Sequence, residues 1–552
     1  MADYSLPPAP KVDSTASSIT STKHKEAGGT DSSTSIPAYS SADGGGAFSH
    51  ETSLNRFYKP IAEYEGAHRY DPAAEWTEVE EKRIVKKIDY RVASWCCLMF
   101  FALQLDRGNI QQALSDNMLD DLGLTTDQYN WGQTVFYISF MFAELPSQLI
   151  SKKLGPDRWI PIQMVSWSIV ASCQAKMNGY ASFVVCRCLL GLIEGGFIAD
   201  VILYLTYFYK TKELPFRLSL FWTAYMSTQI VSAFLAFGIL RLRGVNGMEG
   251  WRWLFALEGS LTAIIGLLSW FYMPPSPTQT KGGLRGNDGW FSEREEVILV
   301  NRILRDDPSK GDMHNRQAVT LKLLWESLKD YDMWPIYLIG LTWTIPSAPM
   351  TSYLTLTLRS LGFGTLETNL LTIPAQCIFI IVLLIITWLS ERINQRLLLG
   401  VVGQVWLLIP LAVLATLPAA APVWGRYAAC TFIVGHVYIH AIIVALTSRN
   451  AGSVRTRTVG SAIYNMTVQA GSIIASNIYR ENDKPLYRKG NRVLIGICGL
   501  NIVLFVAAKA YYIWRNKTRD TLWNAMSLKE KEEYLNITED RGNKRLDFRF
   551  SH

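Results

Sequence analysis

Charge is scarce in this sequence. Asp, Glu, Lys and Arg make up 18% of its 552 residues, against about a quarter in soluble proteins, which argues against a water-soluble globular chain. Cross-linking chemistry is lacking too. Each of the eight cysteines (Cys96, Cys97, Cys173, Cys186, Cys188, Cys377, Cys430, Cys498) falls in an apolar run, and none has ligand spacing in a loop, which speaks against disulfides and a zinc site. No apolar run precedes Ile84, so the start of the chain does not read as a signal peptide. There is no basic patch on a soluble domain either. The net charge of +7 is spread over loops beside apolar runs, a membrane-topology pattern and not a nucleic-acid surface. With no nucleophile–base set and no metal-ligand set, the sequence predicts neither an enzyme nor a cofactor.

Apolar residues are what the chain has: 49% are hydrophobic and 12% aromatic, with 18 Trp. A membrane helix needs about 20 mostly apolar residues. Candidates recur at about 90–113, 129–152, 158–177, 181–208, 216–240 and 252–273, then at 333–357, 366–389, 396–417, 423–447, 458–479 and 492–514. The predicted fold is all-α, twelve transmembrane spans in two six-helix halves, 89–273 and 333–515. A tail (1–88), a central loop (274–332) and a second tail (516–552) are expected on the cytoplasmic side. Disorder is expected up to about His50. Glu75–Lys87 and Glu293–Arg305 read as charged or amphipathic surface helices, the latter a tether between halves or a regulatory arm. SLKEKEEYL in the second tail reads as another.

Lys and Arg set the orientation. Lys82, Arg83, Lys86 and Lys87 precede span one, and Lys152, Lys153 and Arg158 follow span two. The loop after span one carries Asp116, Asp120, Asp121 and Asp127 with no basic residue. Both termini therefore read as cytoplasmic, in a multi-pass protein of the plasma membrane. Arg241–Arg243 and Arg480–Arg492 are basic on the predicted outside and stand against this count.

Four charges stand out inside the spans. ALQLDRGNIQQ (102–112) places Gln104, Arg107 and Gln111 on one stripe at i, i+3 and i+7, with Asp106 about 100° away. CRCLLGLIEGG places Arg187, Gly191 and Glu194 on one face of span four, with glycines that admit close helix approach. Charges at mid-membrane cost roughly 2.5–3.5 kcal/mol each, so they should face a protein interior or a water-filled path. Structural pairing of the two acids with the two arginines is the bland explanation; an ion path is the functional one. Asp200 is a further carboxylate on another face. His436 and His440 stand at i, i+4 without a third ligand, which favours packing over metal. Pro346 and Pro349 should break span seven. Glu144 belongs to a gate near the end of span two.

DRGNIQQA in span one, RCLLGLIEGGF in span four, GWRWLFALEG opening span six and IYRENDKPLYRKGN after span eleven resemble the anion:cation symporter family of the major facilitator superfamily, in its fungal, allantoate permease-like branch. SKKLGPDRW and SERINQR sit in equivalent loops, as that superfamily's gating motif does, which adds Asp157, Arg158, Glu391 and Arg392 to Glu144. The resemblance implies proton coupling at Asp106 and Glu194 and anion binding at Arg107 and Arg187, with Gln104 and Gln111 as further substrate ligands. Two departures bear on the substrate: Ile198, Ala199 and Asp200 replace a common Phe-Pro-Gly, and Phe140 replaces a common tyrosine. The expected function is uptake of a small organic or sulfur-containing anion with protons, by a monomer in the bilayer. A sensor with this fold and a proton-antiport exporter are the alternatives.

Overall fold

The computed structural model describes residues 59–552 apart from 61, 63, 211–212, 307–324, 326–327, 394, 419–420, 452–453 and 539–541. The disorder expected up to about His50 therefore concerns residues outside those described. All regular structure among the described residues is helical. Span one is Ser94–Ala113, span two Thr126–Leu154, span three Pro156–Cys173, span five Leu214–Ile239 and span six Gly250–Tyr272. Span nine is Arg396–Thr416 and span eleven Val454–Ser476.

Four spans are interrupted. Span four runs Tyr180–Glu194 and Phe197–Thr206, with Gly196 at φ +92° between them. Such a backbone strongly favours glycine. Span seven breaks into Trp334–Thr342 and Ala348–Ser360 where Pro346 and Pro349 require it. Span eight is Thr365–Leu371 followed by Ile373–Ile393, and span ten is Val423–Val434 followed by His440–Asn450. Span twelve is longer than expected: Arg488–Ala525 continues as helix well past the apolar run. Asp332, at the start of span seven, ties down this extension through Arg515 (2.9 Å) and Arg519 (3.5 Å).

Among the described residues seven helices are long and apolar enough to cross a membrane. Spans two, three, seven, ten and eleven do not pass that measure. Two of them are broken into pieces. The others carry polar groups along their length, such as Asn130, Gln133, Glu144 and Ser147 in span two.

The surface helices form as the sequence indicates. Glu78–Ile88 opens with a Thr77/Glu80 capping box and passes through a wide turn, Asp89–Ala93, into span one. Glu293–Asp306 packs on it and on the segment before it. Arg69 reaches Glu293 and Glu296 (3.1 and 2.9 Å), Lys87 reaches Glu295 (2.9 Å) and Arg294 reaches Glu80 (2.8 Å). Arg302 is fully buried and bridges Glu81 and Glu213. The helix is thus a clamp on the first half, more than a tether. Partial burial pushes the Glu295 carboxyl up, but the Ser292 N–H and the Lys87 ammonium outweigh it and hold the group below its ordinary value of 4.5. A depressed carboxyl stabilises the fold above its unfolded value and loses that contribution as pH falls through the folded one. Protection of the amides in 293–306, taken relative to the intrinsic exchange rate at each pH, is therefore expected to stay constant near neutral pH and to fall on acidification below about pH 4.5. Protection unchanged by acid would show that these pairs do not hold the clamp.

The end of the bundle at the loop after span one is closed. The Thr126 N–H donates to Glu481 (2.7 Å) and the Asn130 amide to the Tyr479 carbonyl (2.6 Å). Asn477 donates to Thr134 (2.8 Å) and Asn369 to Ser115 (3.0 Å). The Tyr353 hydroxyl donates to Asn130 and the Thr355 hydroxyl to the Gln111 carbonyl. Each of these bonds joins the first half to the second. The basic residues that opposed the charge count are used locally at this same end. Arg243 pairs with Asp116 (2.9 Å) and Asp121 (3.2 Å), and Arg488 donates to the Leu417 carbonyl (2.6 Å).

Candidate functional site

Span four lies almost backbone to backbone on span two. A Cβ at Gly191 would stand 2.4 Å from the Phe136 carbonyl, and one at Gly195 would stand 2.8 Å from that of Phe140. Glycine at these positions is what lets the two long cations meet one aromatic pair. The Arg107 guanidinium lies 4.8 Å from the Phe140 ring centre and 5.8 Å from that of Phe136, and Arg187 lies 4.4 Å from Phe136. An arginine over an aromatic face is attracted by the ring quadrupole. Phe140, which stands where the resemblance leads to a tyrosine, is thus part of the floor under Arg107.

The pairing expected on the bland reading is only half realised. Arg107 Nε donates to Glu194 Oε2 at 2.6 Å, and the Glu194 side chain is 1% exposed. Arg187 has no carboxylate partner among the described residues; its Nη2 donates to Gln133 Oε1 at 2.7 Å, and Gln133 donates onward to the Tyr129 hydroxyl (2.8 Å). Asp106 points the other way and accepts the Trp167 indole N–H at 3.1 Å. Buried N–H groups remain without a partner on both arginines, at Arg107 Nη2 and Arg187 Nε. Gln104 is buried and Gln111 half-buried, on the same side of span one as Arg107.

The other candidates are dispersed. Glu144 is buried in span two. Asp157 is half-buried at the start of span three, with Arg158 exposed beside it. Arg392 is exposed and lies over the Trp388 ring at 5.3 Å, and the Glu391 side chain lies outside what the structure describes. Asp200 is buried inside the first half, where the Ser147 hydroxyl donates to it at 3.2 Å. His436 and His440 do not share a helical face, because span ten breaks between them. His436 contacts the Ile433 and Val434 carbonyls (3.1 Å each) and Ser347 (3.3 Å), and His440 packs between Trp222 and Tyr464.

Two residues escaped the sequence reading. Gln133, which holds Arg187, lies in a span where a lone amide is ordinary. Glu258 of span six is 1% exposed. It is a lone acid inside an apolar run, the same signal that drew attention to Asp106.

The model of the Major Facilitator Superfamily matches residues 96–476. The chain is 45% identical over 490 residues to a protein described as uncharacterized transporter YIL166C of Saccharomyces cerevisiae, covering 89% of this chain and 90% of that one. It is 26% identical to MFS-type transporter efuF of Hormonema carpetanum, over 79% of this chain and 86% of that one. Among solved structures it is similar to a D-xylose-proton symporter, with a TM-score of 0.58 at 15% identity, covering 75% of this chain and 97% of that one. That likeness establishes the fold alone, whereas the family match spans most of the helices described above. The chain is a membrane transporter of the Major Facilitator Superfamily.

Proposed function

We propose that the protein is a proton-coupled symporter of the anion:cation symporter family that takes up a small organic or sulfur-containing anion across the plasma membrane, as a monomer with both termini in the cytoplasm. The observation that carries this reading is the pair of guanidiniums. Arg107 and Arg187 come from different spans, meet at Phe136, and together face one ion-paired carboxylate, Glu194. Each keeps a buried N–H without a partner. Guanidinium is planar, permanently charged and matched to carboxylate, sulfonate or sulfate oxygens.

On this reading Glu194 and the anion compete for Arg107. Protonation of Glu194 releases the guanidinium to the anion, and loss of that proton on the inner side restores the ion pair and expels the cargo. Moving one charge across 100 mV involves about 2.3 kcal/mol. A monoanion entering alone opposes an inside-negative potential; with two protons it enters with the field. Gln104 and Gln111 complete the cargo's polar contacts. Glu144, Asp157, Arg158, Glu391 and Arg392 act in the gate at the cytoplasmic end.

Uptake of labelled carboxylates, sulfonates and sulfate, at acidic and neutral external pH with and without a protonophore, tests the proposal. At least one anion should accumulate faster in acid and lose its accumulation with the protonophore. Accumulation of neutral or cationic solutes alone, or efflux driven by inward protons, would refute it.

A further inference from the structure

Arg107 turns toward span four, which leaves the opposite side of span one to a second group of buried polar residues. Asp106 and Glu258 are each 1% exposed, and Asn109 and Thr262 are as deeply buried. At about 1.5 Å per residue, Asp106 lies about 10 Å and Glu258 about 12 Å from the first-loop ends of their helices, so the two acids stand at one level. Span six reaches that level by pressing on span three. A Cβ at Gly259 would stand 2.5 Å from the Ser172 hydroxyl and 2.8 Å from the Ser172 nitrogen, which fixes the rotation of its neighbour Glu258.

The polar atoms of this group are short of partners. Asp106 Oδ1, both Glu258 oxygens, both ends of the Asn109 amide and the Thr262 hydroxyl complete no hydrogen bond, although Asn109 faces Glu258 and Thr262 faces Asp106. Span three contributes the Trp167 N–H and no titratable group. Span four contributes the charge of Glu194, and span five the Ser232 hydroxyl, near Gly108 on the other side of span one. Arg107 is the nearest cation along the chain, and its Nε is taken by Glu194. Two ionised carboxylates here would be buried together with no counter-ion in contact, an arrangement that costs several kcal/mol per ion.

We propose that Asp106 and Glu258 form one proton site, a carboxyl–carboxylate pair that holds a proton between spans one and six, apart from the arginines. In the step itself an O–H bond forms at one carboxyl oxygen while hydronium gives up its proton to become water. The pair then carries one negative charge, and a second proton makes it neutral. The coupling role of this site rests on the symport reading given above; the existence of the site does not. Spans one and six would sense the proton through contacts that the anion never touches.

Infrared difference spectroscopy of the full-length protein in liposomes, between acidic and alkaline buffer, reads the carboxyl C=O stretch directly. A wild-type band from a buried carboxyl is expected. The acid that takes the first proton titrates against its partner's negative charge, so its midpoint should fall by at least about one pH unit when that partner is made neutral. Glu258→Gln and Asp106→Asn are read in parallel, and at least one of them should show this shift. Anion counterflow should persist in Glu258→Gln, while the acid stimulation of net uptake is lost. An unshifted midpoint in both variants would overturn the pair, and so would displacement of the band by sodium at constant pH. If the band shifts as expected but wild-type uptake ignores the proton gradient, the site stands and the symport reading falls. If uptake is proton-driven and the midpoints are independent, the reverse holds.

Discussion

Arg107→Ala is expected to abolish uptake, by roughly 100-fold or more, and to lower the amount of folded protein as well. Hydrogen bonds to charged groups contribute about 1.5–3 kcal/mol, and 1.4 kcal/mol is about tenfold, so on the proposed reading the loss of a forked guanidinium–anion contact accounts for the lost uptake. The loss of folded protein has a different cause. Glu194 would be stranded, almost wholly buried, without its cation, and breaking such a pair from one side costs about 3–5 kcal/mol. The two effects separate in Arg107→Ala combined with Glu194→Gln. That variant removes the stranded charge and should regain abundance and thermal stability in detergent, while uptake stays absent. Recovery of uptake would mean that Arg107 serves only as the counter-ion of Glu194, and the anion site would have to move elsewhere. Arg107→Lys should fall between, because the ammonium keeps the charge and loses the planar fork. Glu194→Gln alone should still exchange bound anion but should not concentrate it; intact accumulation would remove Glu194 from coupling.

Much of this architecture was legible because membrane burial writes simple signals. Apolar runs of bilayer length marked the spans, and Pro346 with Pro349 marked the interruption of span seven. The amphipathic period of 293–305 gave the surface helix to within a residue. Charges inside spans marked Asp106, Arg107, Arg187 and Glu194. Their partners were less legible, since position on a helical wheel says which face a residue occupies and nothing about which neighbour occupies the facing one. Asp106 and Arg107 are adjacent in sequence yet serve different interfaces, one toward Trp167 and the other toward Glu194. The breaks in spans four and ten were missed for a related reason. Gly195, Gly196 and Gly435 sit in apolar surroundings that read as continuous helix, and only packing shows that the chain bends there. Glu258 carries the same mark in the sequence as Asp106, an acid inside an apolar run, but only its burial against span one singles it out.

Asn130→Ala should open the first-loop end. Asn130 is 2% exposed and uses both ends of its amide across the junction of the halves, donating to the Tyr479 carbonyl and accepting from the Tyr353 hydroxyl. Alanine leaves both groups unpaired in the closed arrangement, at about 1–3 kcal/mol each. Water satisfies them once the end opens, so the penalty falls on the closed state alone. With 1.4 kcal/mol worth about tenfold, the population open at this end should rise by at least about tenfold. The rate of alkylation of a cysteine placed at Tyr137, about one turn below Thr134 on span two, read by mass spectrometry, should rise in proportion. The effect should be the same at acidic and neutral pH. Partial burial pushes the neighbouring Glu481 carboxyl up, but hydrogen bonds from Thr126 and the Lys484 charge hold it down at about 2. A carboxyl depressed in this way contributes fully above its ordinary value of 4.5 and is lost only as pH falls toward 2. On the symport reading proposed above, protons would then act at the buried carboxyls of spans one, four and six and not through Glu481 at this lock. An Asn130→Ala effect that vanished in mild acid would place a proton-sensitive group in the junction itself.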